Sequence, residues 1–157
     1  MQTQLVILVG PPGTGKSHYA YKTAKKNPLK WIVISRDGIR RSLGDKKSHL
    51  IFKQDKEEIL SSIEFDAIVT SLSSGFSVIA DISNNGYKGQ FDGIPDIICP
   101  YQVSIQIKYF KCSIWLATLR DLWRRIKGGH MVGYQRIKRL HNQFYIPKDY
   151  RNDYGNN

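Results

Sequence analysis

The most specific chemistry in the sequence lies in eight consecutive residues, Gly10-Pro11-Pro12-Gly13-Thr14-Gly15-Lys16-Ser17. They satisfy the pattern G-x-x-x-x-G-K-[ST] in full. The glycines allow the chain to wrap closely around a phosphate, with successive backbone N–H groups turned inward. A helix opening near Lys16 adds the partial positive charge of its N-terminus. Lys16 is then expected to reach the β- and γ-phosphates of a nucleoside triphosphate, and the Ser17 hydroxyl to ligate Mg²⁺. Gly10 to Ser17 are the expected ATP-binding set, and ATP and Mg²⁺ the expected cofactors. The rival role is a glycine-rich turn that only joins a strand to a helix, and the setting described below argues against it.

Two carboxylates and several arginines add to this core. Asp37 follows an apolar segment, where an acceptor hydroxyl would lie beside the γ-phosphate. There it is expected to be the catalytic base, taking the hydroxyl proton and aligning in-line attack, with capping of the following helix as the alternative. Arg40, one turn on, is placed to clamp an acceptor phosphate, whereas Arg36 and Arg41 are expected to be surface charges. Asp81 ends Val78-Ile-Ala-Asp in the position of a Walker-B-like acid. It would hold a water on Mg²⁺ or orient Arg40, or simply form a turn. Ser83, Asn84 and Asn85 offer short polar groups beside it.

Arg120 and Arg124 are spaced i, i+4 and share a helix face. With Lys127-Gly128-Gly129-His130 they suggest a basic lid whose arginine would neutralise charge during transfer, either Arg124 or Arg125. Leu116, Leu119 and Trp123 are expected to pack that helix into the core. A last basic segment, with Arg136, Lys138, Arg139 and His141 between Tyr134 and Tyr145, could follow a nucleic-acid backbone or be a solvated face. His49, His130 and His141 show no metal-ligand spacing.

These residues need strands and helices to position them. Leu5 to Gly10 is a short continuous apolar run, the pattern of a parallel strand buried on both faces. Lys16 to Lys26 follows as a helix with Tyr19, Ala20 and Thr23 inward, stopped at Asn27-Pro28. Trp31 to Ser35 is a second strand, Phe76 to Asp81 a third, and Val103 to Phe110 a fourth with a more exposed face. Between them lies a helix over about Ser48 to Ser74, with Ile51, Ile59, Ile63, Ile68 and Leu72 on its apolar side and Gly75 as C-cap. Ser113 to Lys127 and Tyr134 to Phe144 are the last helices, while Ile82 to Pro100 is irregular. The expected fold is a single α/β P-loop NTPase domain, a mostly parallel sheet flanked by helices and carrying the basic lid. It would span residues 1–146, with 147–157 as a tail. Ligands in such folds sit beyond the carboxyl ends of the strands, where these polar motifs fall.

The bulk numbers limit the classes. A chain of 157 residues suits one domain. No apolar run is long enough to cross a bilayer and no signal-peptide pattern opens the chain, so no membrane association and a cytoplasmic location are expected. Cys99 and Cys112 lack metal or redox spacing and are expected to be reduced thiols. Twenty-four Lys and Arg against thirteen Asp and Glu leave a net charge of +11, which favours a polyanionic partner. A GTPase would carry an N-K-x-D base-reading motif, which is absent. An AAA-type machine would need a larger module with sensor and oligomer elements. A small kinase is the leading class.

The ordered set of motifs resembles the kinase domain of phage-type polynucleotide kinases. The resemblance rests on Gly-Pro-Pro-Gly-Thr-Gly-Lys-Ser, Asn27-Pro28 leading to Ser35-Arg-Asp37-Gly-Ile-Arg40, Asp81-Ile-Ser-Asn-Asn, and Arg120-Asp-Leu-Trp-Arg124, from Val6 to about Phe144. It implies ATP-dependent phosphorylation of a 5′-hydroxyl end of DNA or RNA, and a phage origin with action in the host cytoplasm. Lys16 and Ser17 would bind ATP and Mg²⁺, Asp37 would be the general base, Arg40 would hold the acceptor phosphate, Asp81 would support the site and Arg124 the transferring phosphate. Departures occur at Tyr87 to Pro100, rich in Gly and Pro where the family has a clean helix, and at the glycines around His130. The D-x-D-G-T motif of bifunctional members is absent, so no 3′-phosphatase activity is expected. The alternatives are a phage kinase for a hydroxymethylated base in DNA, a small-metabolite or nucleotide kinase, and an ATP-switched nucleic-acid-binding protein. DNA against RNA, the preferred nucleotide and the oligomeric state stay open.

Overall fold

The structure, a computed structural model, describes residues 3–43, 54–84, 103–129 and 131–144. Four strands, β1 (Gln4–Val9), β2 (Trp31–Ser35), β3 (Ser77–Asn84) and β4 (Ser104–Tyr109), form one parallel sheet in the order β2-β3-β1-β4. Five helices accompany it among the described residues: α1 (Lys16–Lys26), α2 (Arg36–Ser42), α3 (Gln54–Ser73), α4 (Ile114–Ile126) and α5 (Tyr134–Gln143). The expected α/β domain with a parallel sheet is what the chain forms.

Side chains alternate across a strand, so the continuous apolar run of β1 feeds two cores at once. Leu5, Ile7 and Val9 join Ile34, Val78, Ala80, Ile68 and Leu72 on the face covered by α3. Val6 and Leu8 meet Ile79 and Ala20 on the face covered by α1, with Tyr19, Trp31, Val33 and Phe110 packed around them. Among the described residues, β4 pairs with β1 on one side only. Val103, Ile107 and Tyr109 of its apolar row pack against the core, whereas Ile105 in the same row is exposed, against the alternation expected there.

Register places the chemistry. Ser35 at the end of β2 lies beside Asp81 on β3, and β3 runs beside β1, which ends at the glycine-rich loop. Three strands therefore deliver Asp37, Asp81 and Lys16 to one end of the sheet.

Helix ends follow their sequence signals. Gly75, at φ 85°, receives the end of α3, with Gly75 N–H donating to Leu72 O and Phe76 N–H to Ser71 O. This is a Schellman cap in the expected place. Gly128 and Gly129 close α4 in the same way, donating to Arg125 O and Arg124 O.

Four expectations are corrected. The start of the segment expected to be irregular, from Ile82, continues β3 as far as Asn84. In α3 the inward positions are Leu60, Glu64, Ile68 and Leu72, whereas Ile59 and Ile63 lie on the exposed side. Ile51 falls outside the described residues. In α4, Leu116, Leu119 and Trp123 do not enter the core; all three are exposed, and Ala117 and Asp121 are the buried residues. Arg36 is not a surface charge, because two glutamates of α3 bind it, as described below. The readings for residues 85–102, His130, Tyr145 and the tail, and for the side chains of Ser83 and Asn84, also fall outside the described residues.

Candidate active site

The loop from Gly10 to Gly15 is built by contacts that only small residues permit. Gly13 sits at φ 81°, and a Cβ there would stand 2.9 Å from Ala117 on α4. A Cβ on Gly10 would meet the Phe110 carbonyl, just past β4, at 2.4 Å. The glycines thus let the loop press against β4 and α4 as well as turn. Thr14 is buried and its hydroxyl donates to Pro11 O at 2.8 Å, which braces the turn.

Lys16 is buried at 6% exposure and donates from Nζ to Gly10 O at 2.6 Å and to Pro11 O at 3.0 Å. Burial lowers its pKa to about 8, against the opposing pull of Asp81 and Asp37. Asp81 is also buried, and desolvation raises its carboxyl above the ordinary range despite a hydrogen bond donated by the Ser17 hydroxyl and the nearby Lys16 charge. The exposed Ser17 and the buried Asp81 form an all-oxygen pair suited to a hard cation such as Mg²⁺. This pair fits the expected Mg²⁺ position.

Asp37 lies in the first turn of α2 with an exposed side chain. The N-cap of that helix is Ser35, whose Oγ accepts from Gly38 N–H at 3.3 Å. Capping, the alternative role for Asp37, is therefore carried by another residue. Asp37 is close enough to act electrostatically on both Lys16 and Asp81.

Behind Asp37 lies an ion cluster that sequence reasoning missed. Arg40 donates to Glu57 through Nε and Nη2, at 2.9 to 3.3 Å, and to Asp37 Oδ1 at 3.2 Å. Arg36 binds Glu57 at 3.0 Å, Ser61 at 3.0 Å and the buried Glu64. Desolvation pushes Glu57 upward, but the two arginines hold it below the usual range. Burial wins at Glu64, whose pKa is raised although Arg36 binds it, and its Oε1 has no hydrogen-bond partner among the described residues. Glu57 and Glu64 are seven residues apart on α3, on one face; an i, i+7 acid pair opposite an i, i+4 arginine pair was the available signal.

The lid side comes from α4 and α5. Arg120 Nη1 donates to Gly13 O at 2.9 Å, and Cys112, a free thiol, lies 3.8 Å from the same oxygen. Arg124 acts on both Lys16 and Asp81, whereas Arg125 turns to Met131 Sδ at 3.7 Å. Buried Asp121 accepts from Val132 N–H and Gly133 N–H at 3.0 Å, which fixes the loop entering α5. His141 on α5 comes within 3.1 Å of Pro12 O. Asp121 thus ties α4 to the loop entering α5 and His141 ties α5 to the phosphate loop, and neither was marked for that by spacing. No cluster of three metal-ligating side chains occurs among the described residues.

The profile of the AAA_33 family, described as an AAA domain, matches residues 5–129, from β1 past the end of α4. The chain belongs to this P-loop family. The AAA name runs against the exclusion drawn from chain length, which concerned the additional elements of an assembly machine; the match covers the nucleotide-binding domain. Among solved structures, a chain of the Pnkp1/Rnl/Hen1 RNA repair complex superposes on the AAA_33 domain with TM-score 0.77 at 21% identity, covering 91% of this chain and 44% of that one. A candidate kinase from Chloroflexus aurantiacus gives TM-score 0.72 at 19% identity over 94% and 82% of the two chains. A gluconokinase from Sinorhizobium meliloti 1021 gives 0.56 at 14% identity over 92% and 77%. These likenesses show a kinase-like P-loop fold. The chain spans less than half the length of the first structures it matches, 44% and 39%. No curated protein matches it significantly, and no described helix is long and apolar enough to cross a membrane.

Proposed function

We propose that this AAA_33 domain is an ATP- and Mg²⁺-dependent phosphotransferase that phosphorylates the 5′-hydroxyl end of DNA or RNA. The observation that carries the reading is the uncapped carboxylate of Asp37 beside the Lys16–Ser17–Asp81 cluster, within electrostatic reach of both Lys16 and Asp81. An ATP switch without an acceptor has no use for a base there. Asp37 takes the proton of the acceptor hydroxyl, whose oxygen attacks the γ-phosphorus as its bond to the β–γ bridging oxygen breaks and ADP leaves. Lys16 and the loop N–H groups hold the β- and γ-phosphates, and Arg124 neutralises charge on the group in flight. Ser17, with Asp81 behind it, would hold Mg²⁺, which would supply further charge neutralisation during transfer. Arg120 holds the loop through Gly13 and faces the nucleotide. Arg40 receives the acceptor phosphate by exchanging part of its contact with Glu57.

A polynucleotide acceptor is supported by the net charge of +11, the exposed Arg136, Lys138 and Arg139 on α5, and the likeness to a component of an RNA repair complex. The gluconokinase likeness supports a small-alcohol acceptor as the second reading. Incubation with γ-labelled ATP, Mg²⁺ and a 5′-hydroxyl oligonucleotide, beside a 5′-phosphorylated control and a duplex containing hydroxymethyluracil, separates the readings. Label on the 5′-hydroxyl strand alone is expected. Label only on the modified duplex moves the acceptor to the base, and no label on nucleic acid moves it to small alcohols. Asp37→Ala is expected to lower transfer by roughly 10²–10⁴-fold with ATP binding intact; unchanged transfer removes Asp37 from its role.

A further inference from the structure

Helix α4 is inside out. Its buried positions are Ala117, against Gly13, and Asp121, against the lid loop, and Arg120 and Arg124 also turn toward the phosphate loop. Its apolar side chains face solvent instead: Trp115 at 80% exposure, Ile126 at 69%, Trp123 at 60%, Leu119 at 55%, Leu122 at 50% and Leu116 at 41%. At 100° per residue these six fall within an arc of about 120°, opposite the buried positions. Trp115, Leu119, Leu122 and Ile126 are spaced 4-3-4, the a/d seam of a two-stranded helix pair, with Leu116 and Trp123 widening it on one side.

We infer that this seam docks a second copy of the chain, α4 against α4 in antiparallel orientation about a two-fold axis. The exposed stripe amounts to roughly 700 Å² of apolar surface, more than the largest patch usual on a monomer. Two such stripes bury on the order of 1,400 Å², within the range of specific interfaces. Charge sets the orientation. Of the cations flanking the stripe, Arg120 is turned to Gly13 O, Arg125 and Lys127 lie at the C-terminal end, and the N-terminal half from Ser113 to Thr118 carries no charge. An antiparallel pair sets cations against that uncharged half, whereas a parallel pair would stack them on one another. The antiparallel pair is also the self-complementary arrangement that closes as a dimer. A nucleic-acid strand gains nothing from covering four aliphatic side chains, and a second apolar helix does. Because Arg120 and Arg124 project from the other face of the same helix, the pair would hold both arginines on a fixed support.

The mass of the full chain in solution tests this without any activity measurement. Wild type is expected at twice the chain mass at micromolar concentration, dissociating on dilution. Leu119→Glu and Trp123→Glu, each at a solvent-facing position, are expected to weaken association by at least ~30-fold with unchanged circular dichroism. Lys22→Glu on α1, away from the stripe, is expected to remain dimeric. A wild-type chain that is monomeric throughout overturns the proposal, as does a Leu119→Glu protein that stays dimeric. Quenching of the tryptophan emission of a monomeric wild type by a single-stranded oligonucleotide, lost in Trp123→Glu, would overturn it in favour of nucleic acid.

Discussion

Helices α3 and α4 turn their apolar faces in opposite directions. In α3 a diffuse apolar pattern is buried, Glu64 goes inward with it to bind Arg36, and the half-buried Glu57 beside it binds Arg36 and Arg40. In α4 a sharp apolar stripe is turned outward, and the polar face is turned inward, with Arg120 and Arg124 toward the phosphate loop and Asp121 on the loop entering α5. The sharper stripe belongs to the helix that leaves it in solvent. Amphipathic periodicity therefore says that a helix has two faces and nothing of which one meets the rest of the chain. The deciding factor is what lies opposite. α3 covers a sheet face of Ile, Val and Leu, whereas α4 covers backbone carbonyls and glycines, which take small or hydrogen-bonding groups.

That contrast can be broken at chosen points. Arg36→Met is expected to have the largest effect on stability, about 3–5 kcal/mol, because it leaves the buried Glu64 carboxyl without its partner. Thermal or urea unfolding reads it, and the double change Arg36→Met with Glu64→Leu is expected to recover most of the loss. Lys16→Met is expected to abolish ATP binding while stabilising the fold by about 1–3 kcal/mol at neutral pH. The folded pKa of about 8 lies below the free value of 10.5, so the unfolded chain holds more protons between them. Stability of the parent therefore rises with pH from about 8 to 10.5, and the advantage of Lys16→Met shrinks over that window. A constant difference between the two proteins from pH 7 to 10.5 would remove the buried cation as its cause.

Across α4 itself, Ala117→Leu is expected to cost about 1–3 kcal/mol and to weaken nucleotide binding, since its added volume meets Gly13. Leu122→Ser, on the outward face, is expected to cost less than ~0.5 kcal/mol at concentrations that keep the chain monomeric. Equal effects from the two substitutions, measured by unfolding of the dilute proteins, would contradict the inside-out arrangement.

The gap between expectation and structure has the same physical origin in each case. The phosphate loop, the four strands and the caps at Gly75 and Gly128 were legible because each depends on neighbours a few residues away. Arg36 looked like a surface charge because its partners, Glu57 and Glu64, lie 21 and 28 residues along the chain. Asp37 could be a base or a cap from sequence; Ser35 takes the N-cap role, and the base role stays a proposal. Asp121 and His141 gave no signal, as an acid on a helix and a histidine in a basic segment are ordinary until a loop folds back on them.

Local spacing by itself determined the phosphate-binding loop with Lys16 and Ser17, the strand and helix succession and the parallel α/β class, since turn chemistry and side-chain period act over one or two helical turns. Tertiary structure alone decided that Asp81 meets Ser17, that Arg124 rather than Arg125 faces Lys16, that α3 buries Glu64 and that α4 shows its tryptophans to solvent. Those outcomes depend on which surfaces the strand order β2-β3-β1-β4 brings face to face, and a one-dimensional pattern carries no record of what stands opposite.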